Sequence, residues 1–240
     1  MIETSEAIIL NSRKFNETSK IITVFSKDFG KFSAIAKGAM SSKSKFGNLL
    51  EPGNYLEITF YKKPQDQLQL LTNAEVNENF WNIRNNFQSM MVAYSHLETV
   101  LKLLEDYYIN KNMFEYLVEN LKKLNEISKN QVNLLLNFLY YFIKQQGLSF
   151  DLENIPKSSQ KSIYFNYEDG TFSMNKEGFN IVEIQPKTMA KFETIINDNL
   201  SHNYIELTNN EIVILLNLFN RYITRHLDRT IFWESIRMYL

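Results

Sequence analysis

The hydrophobic pattern of this chain changes period once, after Asn77, and that switch constrains the fold more than any other feature. Before it, short apolar runs repeat with a period near two, as strands with a buried face do. Ala7-Ile8-Ile9-Leu10 opens the first run. Ile21-Ile22-Thr23-Val24-Phe25 forms the second and is broken by Ser26-Lys27-Asp28-Phe29-Gly30. In the third, Phe32, Ala34 and Ala36 share one face while Ser33 and Ile35 share the other. Tyr55 to Tyr61 places Leu56, Ile58 and Phe60 inward, and Leu68-Gln69-Leu70-Leu71, extended towards Val76, is a fifth strand. Five short strands punctuated by Gly30, Gly38, Gly47 and Pro52-Gly53 predict a small closed sheet, since an open sandwich needs more strands.

Beyond Asn77 the apolar residues recur at three- and four-residue steps. Phe87, Met91, Tyr94, Leu97, Leu101 and Leu104 mark a helix from about Phe80 to Tyr108. A second is expected from Met113 to Ile127, and a third from a Ser128–Gln131 capping box to a stop at Gly147. Short connections favour antiparallel packing. Helical periodicity lapses from Leu148 to Gln185, where Ile163 to Tyr167, Glu168-Asp169-Gly170 and Thr171 to Met174 read as a hairpin. Pro186 can start a helix at its first turn. Thr208 with Glu211 makes another capping box for a helix to about Leu227, and a last helix is expected from Thr230 to Leu240.

Charge is unevenly spread. The chain carries −1 in all, but Met1 to Lys63 holds ten basic residues against six acidic ones, a local +4 that leaves −5 for the remainder. A basic head on an acidic body points to a polyanion site at one end. Within that head, Lys31, Lys37, Lys43 and Lys45 surround a glycine-containing loop, Lys37-Gly38-Ala39-Met40-Ser41-Ser42-Lys43-Ser44-Lys45, whose serines and N–H groups could also reach phosphate oxygens. Lysines of this kind also serve as a solvated β-face, so charge alone leaves both readings open.

Catalysis finds no support in the residues. The chain has no cysteine, which excludes disulfides, thiol catalysis and thiolate zinc sites. His96, His202 and His226 show no metal-ligand spacing and read as structural. Glu105-Asp106 and Glu168-Asp169 are sequence neighbours, which does not make two carboxyls converge. No phosphate-binding glycine motif is present. Helical aromatics such as Tyr94, Phe138, Tyr140, Tyr141, Phe142 and Phe219 read as core, with Tyr107, Tyr108 and Trp233 as a surplus suited to lining a partner's groove. No signal peptide and no apolar run of about eighteen residues is seen, so a cytoplasmic protein without membrane contact is expected.

The segment Ala7 to Leu10, then Phe15-Asn16-Glu17-Thr18-Ser19-Lys20-Ile21-Ile22-Thr23-Val24-Phe25-Ser26, Gly30-Lys31, Ala36-Lys37-Gly38-Ala39, Lys43-Ser44-Lys45 and Leu50-Glu51-Pro52, resembles the amino-terminal pattern of the RecO recombination mediators. Leu134 to Gly147, Leu215 to Leu227 and Ser235-Ile236-Arg237 resemble the later RecO helices. The resemblance implies an α+β, multidomain protein: an OB-fold barrel over 1–79, a helical domain over 80–147 and 186–240, and an inserted hairpin module over 148–185. It further implies a non-enzymatic mediator of DNA repair and recombination, cytoplasmic and nucleoid-associated. Such a mediator binds single- and double-stranded DNA and anneals complementary strands. It pairs with RecR, contacts the tail of single-stranded DNA-binding protein, and so helps to load RecA onto coated DNA. Lys20, Lys31, Lys37, Lys43, Lys45, Lys62 and Lys63 are the expected nucleic-acid contacts. Many RecO proteins hold zinc with four cysteines in the module after the third helix. This chain has none between Asn154 and Gly178, so no metal and no cofactor are expected, and the hairpin is read as a zinc-less remnant shaped by packing. Two alternatives stay open from the residues: an OB-fold adaptor for a peptide partner, and an RNA-binding OB protein.

Overall fold

The computed structural model describes residues 1–156, 161–176, 178–197 and 205–238. Its chain divides into two compact units, Met1–Glu126 and Ile127–Leu240. The first opens with five strands: β1 (Ile2–Lys14), β2 (Lys20–Ser26), β3 (Gly30–Ala36), β4 (Tyr55–Tyr61) and β5 (Gln69–Glu78). They close into a barrel in the order β1-β2-β3-β5-β4, the connectivity of the OB-fold.

β1 is longer than its apolar run because it serves two partners. Ile2 to Ile8 pair with β4, and Ala7 to Lys14 pair with β2, with a register shift between Ile9 and Asn11. Only Ala7 to Leu10, at the crossing, is buried on both faces. That is why the apolar signal covers four residues of thirteen. Inside the barrel Ile9, Ile22, Val24, Phe32, Ile58 and Phe60 pack beside the small Ala7, Ala34 and Ala36. Alternating large and small residues fill a barrel of this size without voids.

The helix expected from Phe80 to Tyr108 is broken twice. A short α1 (Trp81–Asn85) ends at Asn86, whose extended backbone and side chain, accepting from Ser89 N at 2.9 Å, cap α2 (Phe87–Leu103). The chain then leaves helical geometry at Leu104. Residues 104–110 form a strap along the free flank of β3: Tyr107 N–H donates to Lys31 O at 2.8 Å, and Lys31 bridges Asp106 in parallel. Asn110 then accepts from Met113 N at 2.9 Å and caps α3 (Lys111–Glu126). Phe114 of α3 packs edge-on against Phe25, with ring centroids 5.6 Å apart. Lys27–Glu115 (3.1 Å), Lys111–Asp28 (2.7 Å) and Lys122–Glu78 (2.8 Å) bind α3 to the barrel's surface. α1 to α3 lie in the same compact unit as the barrel.

In the second unit α4 (Val132–Gln145) starts without the expected box, since Gln131 before it makes no side-chain capping bond. Its end is as expected. Gly147, at φ +73°, donates to Lys144 O, and Leu148 N–H to Ile143 O, which closes a Schellman turn. The hairpin is a three-stranded sheet in the order β7-β6-β8, with β6 Ile163–Asn166, β7 Phe172–Ser173 and β8 Ile181–Ile184. The third strand was not expected. α5 (Pro186–Asn197) follows Pro186, and α6 (Asn209–Leu227) carries the complete Thr208–Glu211 box. α7 covers Glu234–Arg237 and is shorter than the expected last helix. Phe150 lies at the centre of this unit, its ring within 6.3 Å of those of Tyr140, Phe165, Phe172, Phe192, Phe219 and Tyr222. The small sheet is thus joined to α4, α5 and α6 through one aromatic cluster.

Candidate nucleic-acid interface

The eighteen residues between β3 and β4 cannot stay compact without apolar anchors of their own. Ala39, Phe46 and Leu50 supply them, turned into the barrel core and buried. Ser41 and Ser44 brace the intervening turns, their hydroxyl oxygens accepting from Lys43 N at 3.4 Å and Phe46 N at 3.2 Å. Between those anchors Lys37, Lys43 and Lys45 are exposed. The anchors fix the loop, so its lysines project from a rigid base.

Strand register then assembles a rim. Lys14 lies opposite Lys20, Lys20 opposite Ala36, Ala36 opposite Leu71, and Leu71 opposite Phe60. One row of partners therefore crosses all five strands, climbing from Lys14 at the β1–β2 tip round to Phe60, which lies opposite Glu3 near the other end of β1. Lys14 and Lys20 stand in it, Lys37 follows Ala36, and Lys62 and Lys63 follow the end of β4. Lys45 reaches the same edge, its ammonium donating to Thr72 O on β5. Lys62 N–H donates to Met1 O at 2.8 Å, and the Lys62 ammonium sits 4.9 Å from the Phe29 ring centroid.

These cations are not equivalent. Lys20 is paired with Glu51 at 2.7 Å and its side chain is largely covered. Lys37, Lys43 and Lys63 are exposed and have no ion pair among the described residues. Lys31 departs from the rim altogether. It is 8% exposed, its ammonium donating to Leu101 O at 2.7 Å and pairing with Asp106 at 3.2 Å. It holds the strap and presents no charge to a ligand. Conversely, the barrel places Arg13, Lys14 and the half-exposed Phe15 at the β1–β2 tip, beside the lysine loop, where Met40 N–H donates to Thr18 O at 3.0 Å. Sequence reasoning counted Arg13 and Lys14 in the charge balance without placing them in the site. The pairing of Lys14 with Lys20 across a hairpin was the signal available.

A family model described as "Recombination protein O N terminal" matches residues 1–80, and one described as "Recombination protein O C terminal" matches residues 84–234. The chain belongs to the RecO family. Curated RecO relatives named "DNA repair protein RecO" agree: one from Chloroherpeton thalassium is 29% identical over 153 residues, 64% of this chain and 59% of that protein. Another from Salinibacter ruber is 33% identical over 133 residues, 55% of this chain and 51% of that protein. A third from Pelodictyon phaeoclathratiforme is 25% identical over 199 residues, 81% and 76% respectively. The chain thus spans little more than half the length of the first two RecO proteins.

The remaining candidates in this RecO chain serve structure. His96 is fully buried, Nδ1–H donating to Val92 O at 2.8 Å, and His226 Nε2–H donates to Tyr167 O at 3.0 Å. His202 lies outside the described residues. Asp169 caps its own turn by accepting from Thr171 N at 3.1 Å, while Glu168 takes Arg225 Nε–H at 3.0 Å. Among the described residues no three His, Asp or Glu converge as metal ligands would, and no helix is long and apolar enough to cross a membrane. Tyr107 belongs to the barrel unit, stacked on Phe32. Trp233 lies in the second unit, where with Val213, Leu216, Ile231 and Ile236 it lines a cavity of about 300 Å³.

Proposed function

We propose that the chain is a non-enzymatic recombination mediator in DNA repair whose barrel rim binds single- and double-stranded DNA. The observation that carries this reading is the cluster of exposed lysines on the anchored β3–β4 loop, with Lys14 and Lys20 paired at the adjoining β1–β2 tip, on a RecO barrel. Lys37, Lys43 and Lys63, with Arg13 and Lys14, supply the unpaired charge. Lys20, Lys45 and Lys62 lie close enough to exchange an internal partner for a phosphate. Lys31 stays in the strap.

Annealing complementary strands asks only for charge neutralisation and juxtaposition, so a rigid basic rim is sufficient for it. In this reading the chain works with RecR, engages the tail of single-stranded DNA-binding protein, and helps to load RecA onto coated DNA in the cytoplasm, at the nucleoid. Segments 1–79, 80–147 with 186–240, and 148–185 act as DNA-binding barrel, helical body and inserted module.

The test is the double variant Lys37→Glu/Lys43→Glu in single-stranded DNA binding across a salt series. Losing two phosphate contacts flattens the slope of log K against log salt by about 1.4. Unchanged affinity and slope would remove the site assignment. Stronger competition by RNA than by DNA would move the reading to RNA handling.

A further inference from the structure

β3 and β5 pair over three residues only, Ala34 to Ala36 with Gln69 to Leu71. The first half of β3 is therefore flanked not by a strand but by the strap, through the single bridge from Lys31 to Asp106. Between the strap and the β4–β5 connection lies a cavity of about 100 Å³, walled by Phe29, Phe32, Phe60 and Tyr107, with Lys62 and Lys63 contributing to its lining. No carboxylate lines it among the described residues.

One buried amide holds both walls. Gln69 is 1% exposed; its Oε1 accepts from Lys63 N at 2.7 Å, and its Nε2 donates to Gln67 O and to the Tyr107 hydroxyl, both at 3.1 Å. The lysine turn and the tyrosine are thus set in place before any ligand arrives, which lowers the entropy lost on binding. Phe29 meets Phe60 edge-on at 5.3 Å and Tyr107 stacks on Phe32 at 6.2 Å, so the rings are themselves fixed.

Aromatic walls select a flat π-system, and paired ammoniums select phosphate. Both together fit a nucleotide whose base is out of its stack. A base inside a duplex cannot enter, whereas a single strand presents its bases freely. An acidic peptide would satisfy the lysines and leave the rings unused.

We propose that this cavity receives one unstacked base of a single DNA strand, with the flanking phosphates on Lys62 and Lys63. The inference rests on the DNA-binding reading above and gives the rim a single-strand preference. On entry the base takes the Phe29 face that the Lys62 ammonium now covers, and the ammonium turns to phosphate.

The experiment uses the full chain and an oligothymidylate carrying 5-iodouracil, irradiated in complex and mapped by peptide mass spectrometry. The same strand, unsubstituted, is titrated by fluorescence anisotropy. Crosslinks on Phe29 or Tyr107 are expected in the unaltered protein, so this arm does not depend on a variant folding. Phe29→Leu is expected to weaken single-strand binding about 5- to 150-fold, the range of one base–aromatic stack, and to leave duplex binding unchanged. Single-strand binding with crosslinks only elsewhere, or with Phe29→Leu equal to the unaltered chain, overturns the pocket and leaves the rim standing. Absence of any DNA binding at physiological salt overturns the rim reading and the pocket with it.

Discussion

Replacing Gly30 by alanine sets the strap against the barrel in a way the structure quantifies. Gly30 sits at φ +70°, and an added Cβ would lie 2.5 Å from Tyr108 O, 2.8 Å from Tyr108 C and 2.9 Å from Tyr107 C. All three are backbone atoms, so no side-chain rotation relieves the overlap, and the strap must retreat by about 1 Å to reach ordinary contact. The left-handed backbone alone costs an L-residue about 1–2 kcal/mol. Retreat also weakens the Tyr107 N–H to Lys31 O bond, worth about 1 kcal/mol net, and the Tyr107–Phe32 stack, worth about 0.5–1.5 kcal/mol. The expected loss is about 3–4 kcal/mol, large for a single substitution. Gly38→Ala is the matched control: its φ is +73° with nothing within 4 Å, so only the backbone term of about 1–2 kcal/mol applies. Denaturant melts, with native-state hydrogen exchange at the Lys31 and Tyr107 amides to localise the effect, compare the two. Equal losses would refute the claim that the strap presses on Gly30.

Lys31→Met is expected to cost about 2–3 kcal/mol, since Leu101 O and Asp106 lose their partner, and to leave the salt slope of DNA binding unchanged; a flatter slope would return Lys31 to the binding site. Glu211 is pushed upward by burial, but the Thr208 N–H and hydroxyl, the Lys191 ammonium and the Thr188 hydroxyl outweigh this and hold its carboxyl below the usual value near 4.5. A depressed folded pKa means its stabilisation is complete above about pH 4.5 and is lost as pH falls through the lower folded value. Glu211→Gln should therefore lower the melting point at pH 7 by the equivalent of about 1–2 kcal/mol and flatten the acid limb of the stability curve; an unaltered limb would count against it. Phe150→Ala empties the centre of the second unit's aromatic cluster and is expected to cost about 3–5 kcal/mol, read by calorimetry, with loss of the ring-current shifts of Phe165 and Phe172.

What was legible in the sequence is what short-range physics decides. The inward faces of β3 and β4 follow from alternation, and the Thr208–Glu211 box and the Gly147 stop depend on neighbours a few residues away. Features set by distant partners were not. The ends of β1 are polar because their second faces meet solvent, so its thirteen residues showed as four. Asn86 interrupts a helical period that continues on both sides of it, and a local cap is invisible to a periodicity of apolar residues. β8 is a four-residue run, too short to assign until β6 stands beside it. The site divides in the same manner. Lysine content singled out the β3–β4 loop as a candidate, but Lys31 looked like its neighbours because the carbonyl that captures it lies seventy residues away. Lys14 comes beside Lys20 only through the pairing of β1 with β2.

The strap also has a consequence for synthesis. A barrel whose last strand ends at Glu78 acquires its β3 flank from Tyr107, about thirty residues later. At about 5–20 residues per second, a growing chain carries an incompletely sheathed β3 for roughly 1.5–6 s before Tyr107 is even made. During that interval Phe32 and the edge of β3 are available to any passing strand. A charged residue at that edge is therefore placed where a nascent chain most needs it. Lys31 is the charged residue at that edge, and in the finished fold its ammonium anchors the strap through Leu101 O and Asp106.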